Sequence, residues 1–172
     1  MQLSQILEEV KIGTETFKKL NKSKKLTESF DKDIKTYRVS KLIQEINESF
    51  IETIPEENIS VPRKLKSIHE KIESVEKRIE DNGHISQAYA KMKYDSLSED
   101  YKELNENIKK NKVYRIVDKE KLSQAIALII FEGKKIAEFG NFEFSQNDFP
   151  MNIENFNESV KYELNLLNEN HL

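Results

Sequence analysis

The sequence contains no cysteine and no tryptophan, and it has only four glycines and three prolines. The absence of cysteine excludes disulfide bonds, thiol catalysis and cysteine-ligated metals. The few glycines do not form a glycine-rich phosphate loop, and no Gly-x-Ser-x-Gly nucleophile elbow is present. The common signatures of nucleotide-binding enzymes and serine hydrolases are therefore missing.

Long apolar runs are also missing. The longest uninterrupted one, Ala125–Phe131, is far shorter than the roughly 20 residues that span a bilayer. The first residues lack the basic start and apolar stretch of a signal peptide, and we therefore expect a soluble, cytoplasmic protein. Abundant Lys, Asn, Ile and Glu indicates an AT-rich genome, bacterial or phage. For a phage protein, the expected locations are the virion and the host cytoplasm.

The chain also lacks an excess of either charge sign. Charged residues make up 34% of it, but 28 basic residues nearly balance 31 acidic ones, which gives a net charge of -3. Dense charge of mixed sign is typical of long helices with solvated faces. The net charge therefore predicts no obligate polyanionic partner, and any nucleic-acid site would have to be local.

What the sequence does contain is a long apolar repeat at spacings of three and four residues. Its first half is Leu65, Ile68, Ile72, Val75 and Ile79, and its second half is Ala90, Tyr94, Leu97, Tyr101, Leu104 and Ile108. Gly83, between the halves, is suited to end one helix, and Ser86 is suited to begin the next. The pattern predicts an antiparallel helical hairpin over residues 62–111, with Val75 near Ala90.

Three further segments have the apolar periodicity of core-packed helices, namely residues 37–54, 118–139 and 152–168. Gly133, inside the second of them, predicts a kink or break. Residues 113–117 are β-branched or aromatic apart from Arg115, and predict a short strand with 142–144 as its partner.

The predicted fold is mainly α. It is a helical bundle with a projecting antiparallel helical (coiled-coil) hairpin, and it contains at most a minor two-stranded β element. The predicted organisation is a small N-terminal helical segment at residues 1–36, followed by a helical body at 37–172 that includes the hairpin.

Residues 3–20 hold two short helical stretches around Ile12-Gly13. Ile6, Val10, Ile12 and Phe17 fall where helix-turn-helix motifs place core residues. This segment resembles a helix-turn-helix and is similar to the small N-terminal helical module of bacterial translation initiation factor 2. The resemblance implies that its second helix enters a nucleic-acid groove and that nearby lysines contact phosphates. The implied contact residues are Thr14, Lys18, Lys19, Lys22, Lys24 and Lys25.

No group of side chains stands out as a catalytic, cofactor-binding or metal site. His69 and Glu73 are four residues apart, a spacing that can hold a metal, but no further ligand completes a site. We expect His69 to face solvent. The carboxylates fall on helix faces opposite the apolar stripes, and nothing singles out an acid–base pair. The sequence therefore predicts that the protein is not an enzyme, with no catalytic residue, cofactor, metal or small-molecule ligand.

The phenylalanines near the C-terminus leave two interpretations open. They are Phe131, Phe139, Phe142, Phe144, Phe149 and Phe156. They either cover the core beside the 118–139 helix or, in the polar loop 140–151, anchor a partner protein. The turn of the hairpin is the other surface left for a partner. The candidate interface residues are Asn82, His84, Gln87, Phe142, Phe144 and Phe149.

The leading hypothesis is a non-enzymatic interaction or structural protein, a subunit or accessory of a larger assembly, with phage origin as one version. It would bind protein partners through the hairpin and the 140–151 loop. One alternative is a small nucleic-acid-binding regulator that contacts DNA with residues 3–25 and dimerises through the hairpin. Another is a phage inhibitor of a host enzyme. None of the three needs a membrane.

Overall fold

The computed structural model describes residues 38–170. This part of the chain forms five α-helices and contains no strand. The helices are α1 (Val39–Ile51), α2 (Ser60–Asn82), α3 (Gln87–Asn111), α4 (Lys119–Gly140) and α5 (Asn157–Asn170). The prediction of a helical bundle is confirmed here, whereas the boundary predicted at residue 36 lies outside the described residues.

Helix α1 is shorter than the predicted 37–54 segment. Its buried face is Val39, Leu42, Ile43, Ile46 and Phe50, which are at most 5% exposed. After Ile51 the amides of Thr53 and Ile54 both bond to the Phe50 carbonyl, and Pro55 follows. Because proline disfavours helical geometry in the preceding residue, the helix ends before Pro55 is reached.

Helices α2 and α3 form the predicted hairpin. Every predicted seam residue except Ile79 is buried, and Ile79 is half-buried. Contacts between the two helices pair residues placed symmetrically about the Gly83 turn, which defines an antiparallel arrangement. The Lys64 ammonium lies beside the Glu103 carboxylate, and the Arg78 guanidinium lies 4.1 Å from the centre of the Tyr89 ring.

A buried charge on the flank of this hairpin helps to define its register. The Asp100 side chain is only 12% exposed, and it lies 2.7 Å from the Lys71 ammonium and 3.5 Å from that of Lys64. The Ser67 hydroxyl donates a third contact at 3.3 Å. Because a buried carboxylate is costly without such partners, sliding one helix along the other by a turn would be unfavourable.

Other segments contact the hairpin on both of its helices near the turn. The start of α1 bonds to Glu76 in the second half of α2. The segment after α4 reaches the beginning of α3, where Gln87 donates to the Asn141 carbonyl. In the turn itself, residues 82–87 are exposed apart from Ile85.

Helix α4 is buried on every side over its central part, since all residues from Leu122 to Gly133 are buried. Ser123, Gln124 and Glu132 are buried along with the apolar residues of this stretch. Gly133 does not break the helix, because α4 runs from Lys119 to Gly140 without interruption. The predicted break is therefore wrong.

Contacts divide the described chain into two compact units. One consists of Val39–Val113 and Glu132–Asn152, and the other includes Tyr114–Phe131 and the residues from Ile153 onward. In the second unit, the Tyr114 and Phe156 rings meet edge to face with their centres 6.4 Å apart.

Two local predictions about these connections are wrong. Residues 113–115 form a 3-10 helix instead of a strand, because Lys112 adopts a left-handed conformation that ends α3 and turns the chain. Helix α5 begins at Asn157, five residues after its predicted start at 152. Asn155 has a φ of 58°, which is incompatible with a continuous right-handed helix through that position.

Candidate functional site

The turn between α2 and α3 has a well-defined backbone. Gly83 adopts a left-handed conformation with φ of 80°, and its amide donates to the Ile79 carbonyl at 2.6 Å. The Ser86 hydroxyl accepts from the Tyr89 amide at 3.1 Å and so caps the start of α3. Between them, Ile85 is only 6% exposed and anchors the turn. The caps predicted at Gly83 and Ser86 are confirmed.

Exposed polar side chains surround this turn. Asn82, His84 and Gln87 are all exposed, and the His84 Nδ1 atom lies 3.1 Å from the Asn82 carbonyl oxygen. Gln87 Nε2 donates to the carbonyl oxygen of Asn141 at 3.4 Å. The hairpin turn and the loop after α4 therefore meet.

The loop after α4 is fixed to α3 by side-chain hydrogen bonds. The Tyr94 hydroxyl donates to the Asp148 carboxylate at 2.7 Å and accepts from the Ser145 amide at 3.1 Å. Ser98 donates to the Asp148 carbonyl at 2.7 Å, and Tyr101 donates to the Pro150 carbonyl. Burial is the main reason that the pKa of Tyr94 is raised to about 12, so this hydroxyl remains a donor at neutral pH.

The candidate phenylalanines occupy different environments. Phe142 is half-buried and meets the Tyr94 ring edge to face at 5.1 Å. Phe144 is also half-buried and stacks on Phe149 at 5.6 Å. Phe149 itself is 0% exposed, so its assignment as an interface residue is wrong, because the core already covers its ring.

Not all six phenylalanines are buried in the core. Phe131 and Phe156 are buried, but Phe139 is 43% exposed on the last turn of α4. The core interpretation therefore holds for some of these phenylalanines and the interface interpretation remains for others. Phe142 is the one nearest the hairpin turn. We define the tip surface as Asn82, His84, Gln87, Asn141 and Phe142.

An aromatic and basic cluster beside the tip surface was not anticipated from the sequence. The Tyr89 ring lies 4.1 Å from the Arg78 guanidinium and 5.6 Å from the Lys93 ammonium. Tyr89 and Arg78 also line an open groove of about 510 Å³ that reaches Asn82. The predicted antiparallel register was the available signal, since it places Arg78 and Tyr89 close together across the hairpin.

The half-buried Glu76 and the buried Glu132 contradict the expectation that all carboxylates lie opposite the apolar stripes. Glu76 accepts from the Val39 amide at 2.9 Å and from the Ser40 hydroxyl at 2.6 Å, so it caps the start of α1. Burial, together with the negative charge of Glu132, raises the pKa of Glu76 to about 7. Glu132 is 1% exposed and lies 3.7 Å from the Lys135 ammonium. These contacts give Glu76 a structural role in holding α1 against α2.

His69 does not face solvent, contrary to the expectation. Its side chain is 12% exposed, and its Nδ1 atom lies 2.8 Å from the Ser40 carbonyl oxygen. Between residues 38 and 170 no group of three histidine or acidic side chains is arranged to hold a metal ion. No helix in this same range has the length and apolar character needed to cross a membrane.

The residues assigned to nucleic-acid contact lie outside the described part of the chain. These are Thr14, Lys18, Lys19, Lys22, Lys24 and Lys25, together with the whole helix-turn-helix-like pattern. The sequence resemblance therefore remains a prediction.

No model of a protein family matches the chain, and neither the curated proteins nor the solved structures give a match. This agrees with the sequence, whose resemblance to a known motif is restricted to residues 3–20.

Proposed function

We propose that the chain is a non-enzymatic interaction protein that binds another protein through the tip surface. The observation that supports this most directly is the contact of Gln87 with Asn141 at 3.4 Å. It joins the hairpin turn and the 140–151 loop, which the sequence predicts as two separate surfaces for a partner. A partner could therefore engage both segments at once.

The chemistry of the tip surface suits a protein partner. The half-buried Phe142 follows the exposed Asn141, whose carbonyl oxygen accepts from the exposed Gln87. An apolar anchor with a polar rim is typical of protein interfaces. Arg78 and Tyr89 contact each other and line the groove that reaches Asn82 of the tip surface. Arginine and tyrosine are enriched among the residues that dominate binding energy.

The backbone around the tip surface is well supported, and this favours binding. Tyr94 and Ser98 hold the loop at Asp148, while Gly83 and Ser86 cap the two helices at the turn. A surface that is already in its binding conformation loses less conformational entropy when it binds. We infer that the partner meets a rigid surface here.

The test is affinity capture from the source cells with the wild-type chain and two triple variants. Asn82→Ala/His84→Ala/Gln87→Arg changes exposed side chains of the tip surface. Lys102→Ala/Glu106→Ala/Lys110→Ala is the matched control, since these residues are exposed further along α3. We expect one protein to be captured by the wild type and the control and to be lost with the tip variant.

A photo-crosslinking residue in place of His84 provides a second measurement. It should form a covalent product with the same captured protein, whereas the same residue in place of Lys102 should not. Equal capture by the tip variant and the wild type, with both variants melting as the wild type does, would show that the partner binds elsewhere.

A further inference from the structure

A second surface lies at the opposite end of α2 from the tip surface. Here the last turn of α1, the connecting segment and the first turns of α2 enclose a groove of about 240 Å³. Its lining residues are Asn47, Ile51, Ile54, Pro55, Glu56, Ile59, Pro62, Arg63 and Lys66. We call it the Ile51 groove.

The walls of the Ile51 groove expose large apolar side chains. Ile51 is 57% exposed and Ile59 is 43% exposed, and they are two of six large apolar residues exposed to this extent between residues 38 and 170. Ile54 and Pro55, between them, are half-buried. Isolated exposed apolar residues are common, but two that line one groove, with further apolar neighbours, indicate a binding surface.

The lining of the Ile51 groove carries both charge signs. Arg63 and Lys66, in the first turns of α2, are exposed and basic. Glu56, in the segment that connects α1 to α2, is exposed and acidic. The apolar side chains of the groove are therefore accompanied by two cations and one anion.

We propose that the Ile51 groove binds a second copy of this chain, related to the first by a twofold axis. In such an interface the same patch meets itself, with the axis lying in the plane of contact. An arrangement that places Glu56 of each copy against Arg63 or Lys66 of the other pairs opposite charges around the apolar side chains. The patch therefore supplies its own complement, in charge and in apolar character, and the inference does not depend on the tip surface.

Self-association is measured as the mass in solution by sedimentation velocity at increasing concentration. We expect a monomer at low concentration and a shift toward twice the monomer mass by about 500 μM, as befits a small interface. Ile51→Asp/Ile59→Asp should remain monomeric throughout this range. Met92→Asp is the matched control, because Met92 is 56% exposed on α3 outside the groove, and it should associate as the wild type does.

Charge reversal tests the twofold arrangement itself. Glu56→Lys makes all the charges that line the groove basic, and Arg63→Glu/Lys66→Glu makes them all acidic. Each variant alone should associate at least about tenfold more weakly than the wild type, because like charges then face each other. An equimolar mixture of the two should form a one-to-one dimer.

Three results would overturn the proposal. They are a wild-type chain that stays monomeric over the whole range, an Ile51→Asp/Ile59→Asp variant that still associates, and a charge-reversed mixture that does not associate. Melting curves of each variant establish that the fold is intact, which is expected because every substituted residue is exposed.

Discussion

At the scale of single residues, Gly133 is explained by a neighbour distant in the sequence. A Cβ atom added at Gly133 would lie 2.7 Å from the Cζ atom and 2.9 Å from the Cε1 atom of the Phe149 ring. The ring cannot move aside easily, because it is fully buried and packs against Tyr94, Tyr101 and Phe144. Glycine is therefore present to let the ring approach the backbone of α4, a reason that periodicity alone could not provide.

We predict that Gly133→Ala destabilises the protein although alanine is the better helix former. Alanine gains up to about 1 kcal/mol in helix propensity, but overpacking a filled core costs typically about 1–3 kcal/mol. A net loss of about 1 kcal/mol is expected in urea unfolding. In a Phe149→Leu background the same substitution should be neutral or stabilising, and an equal loss in both backgrounds would show that the ring is not the cause.

Glu76 makes a second residue-scale prediction, on the pH dependence of stability. Its pKa is raised from 4.5 to about 7 by burial and by the nearby charge of Glu132, against the opposing effects of Ser40, Lys135 and the Val39 amide. A raised pKa means that the folded state favours the protonated carboxyl. This contribution is fully present below the unfolded pKa and is lost as the pH rises through the folded pKa.

The free energy of unfolding should therefore fall between about pH 5 and about pH 8, by an amount on the order of 1–3 kcal/mol. Burial also raises the pKa of Glu132, which contributes in the same direction. Glu76→Gln should markedly reduce this fall, because the amide oxygen still accepts from Ser40 but does not ionise. Glu73→Gln, one turn earlier and 49% exposed, is the control and should retain the wild-type slope. Identical slopes in Glu76→Gln and the wild type would refute the assignment.

At the scale of elements, the hairpin was predictable because its signals are local and agree with one another. The apolar residues repeat at helical spacing on both sides of Gly83, and Gly83 and Ser86 supply the end and the start of the two helices. Each of these features acts within a few residues, so the sequence contains it directly. The strand predicted at 113–117 failed because propensity was the only support for it. Its expected partner, Phe142–Phe144, packs instead against Tyr94 through both phenylalanine rings.

Which faces of a helix are covered by other segments depends on contacts between residues far apart in the chain. These contacts were not predictable. The apolar repeat predicts the seam of α2, and it also predicts that the flanks of the seam are solvated. In fact Glu76 and His69 on one flank are covered by the start of α1, and Asp100 on α3 is enclosed by lysines of α2. Helical periodicity distinguishes an apolar face from a polar one, but it does not identify which polar residues a third element will cover.

At the scale of the whole molecule, the two segments of the candidate site were predictable, but the contact between them was not. The hairpin turn and the 140–151 loop were each selected for exposed or aromatic residues. Their meeting at Gln87 and Asn141 required the hydrogen bonds of Tyr94, Ser98 and Tyr101, which place the loop along α3. The Ile51 groove was not anticipated, since it is formed by the packing of α1 against α2 and has no sequence motif.

The length of α2 leads to the final prediction, that the two proposed surfaces act independently. The helix runs from Ser60 to Asn82, and a rise of about 1.5 Å per residue separates its ends by about 30 Å. Substitutions that far apart, with no shared partner, are expected to have additive effects. Asn82→Ala/His84→Ala/Gln87→Arg should therefore leave the dimerisation constant unchanged, and Ile51→Asp/Ile59→Asp should leave binding of the captured partner by a single chain unchanged. If each variant instead altered both measurements while melting normally, the two ends of α2 would be coupled, and partner binding would have to depend on the dimer.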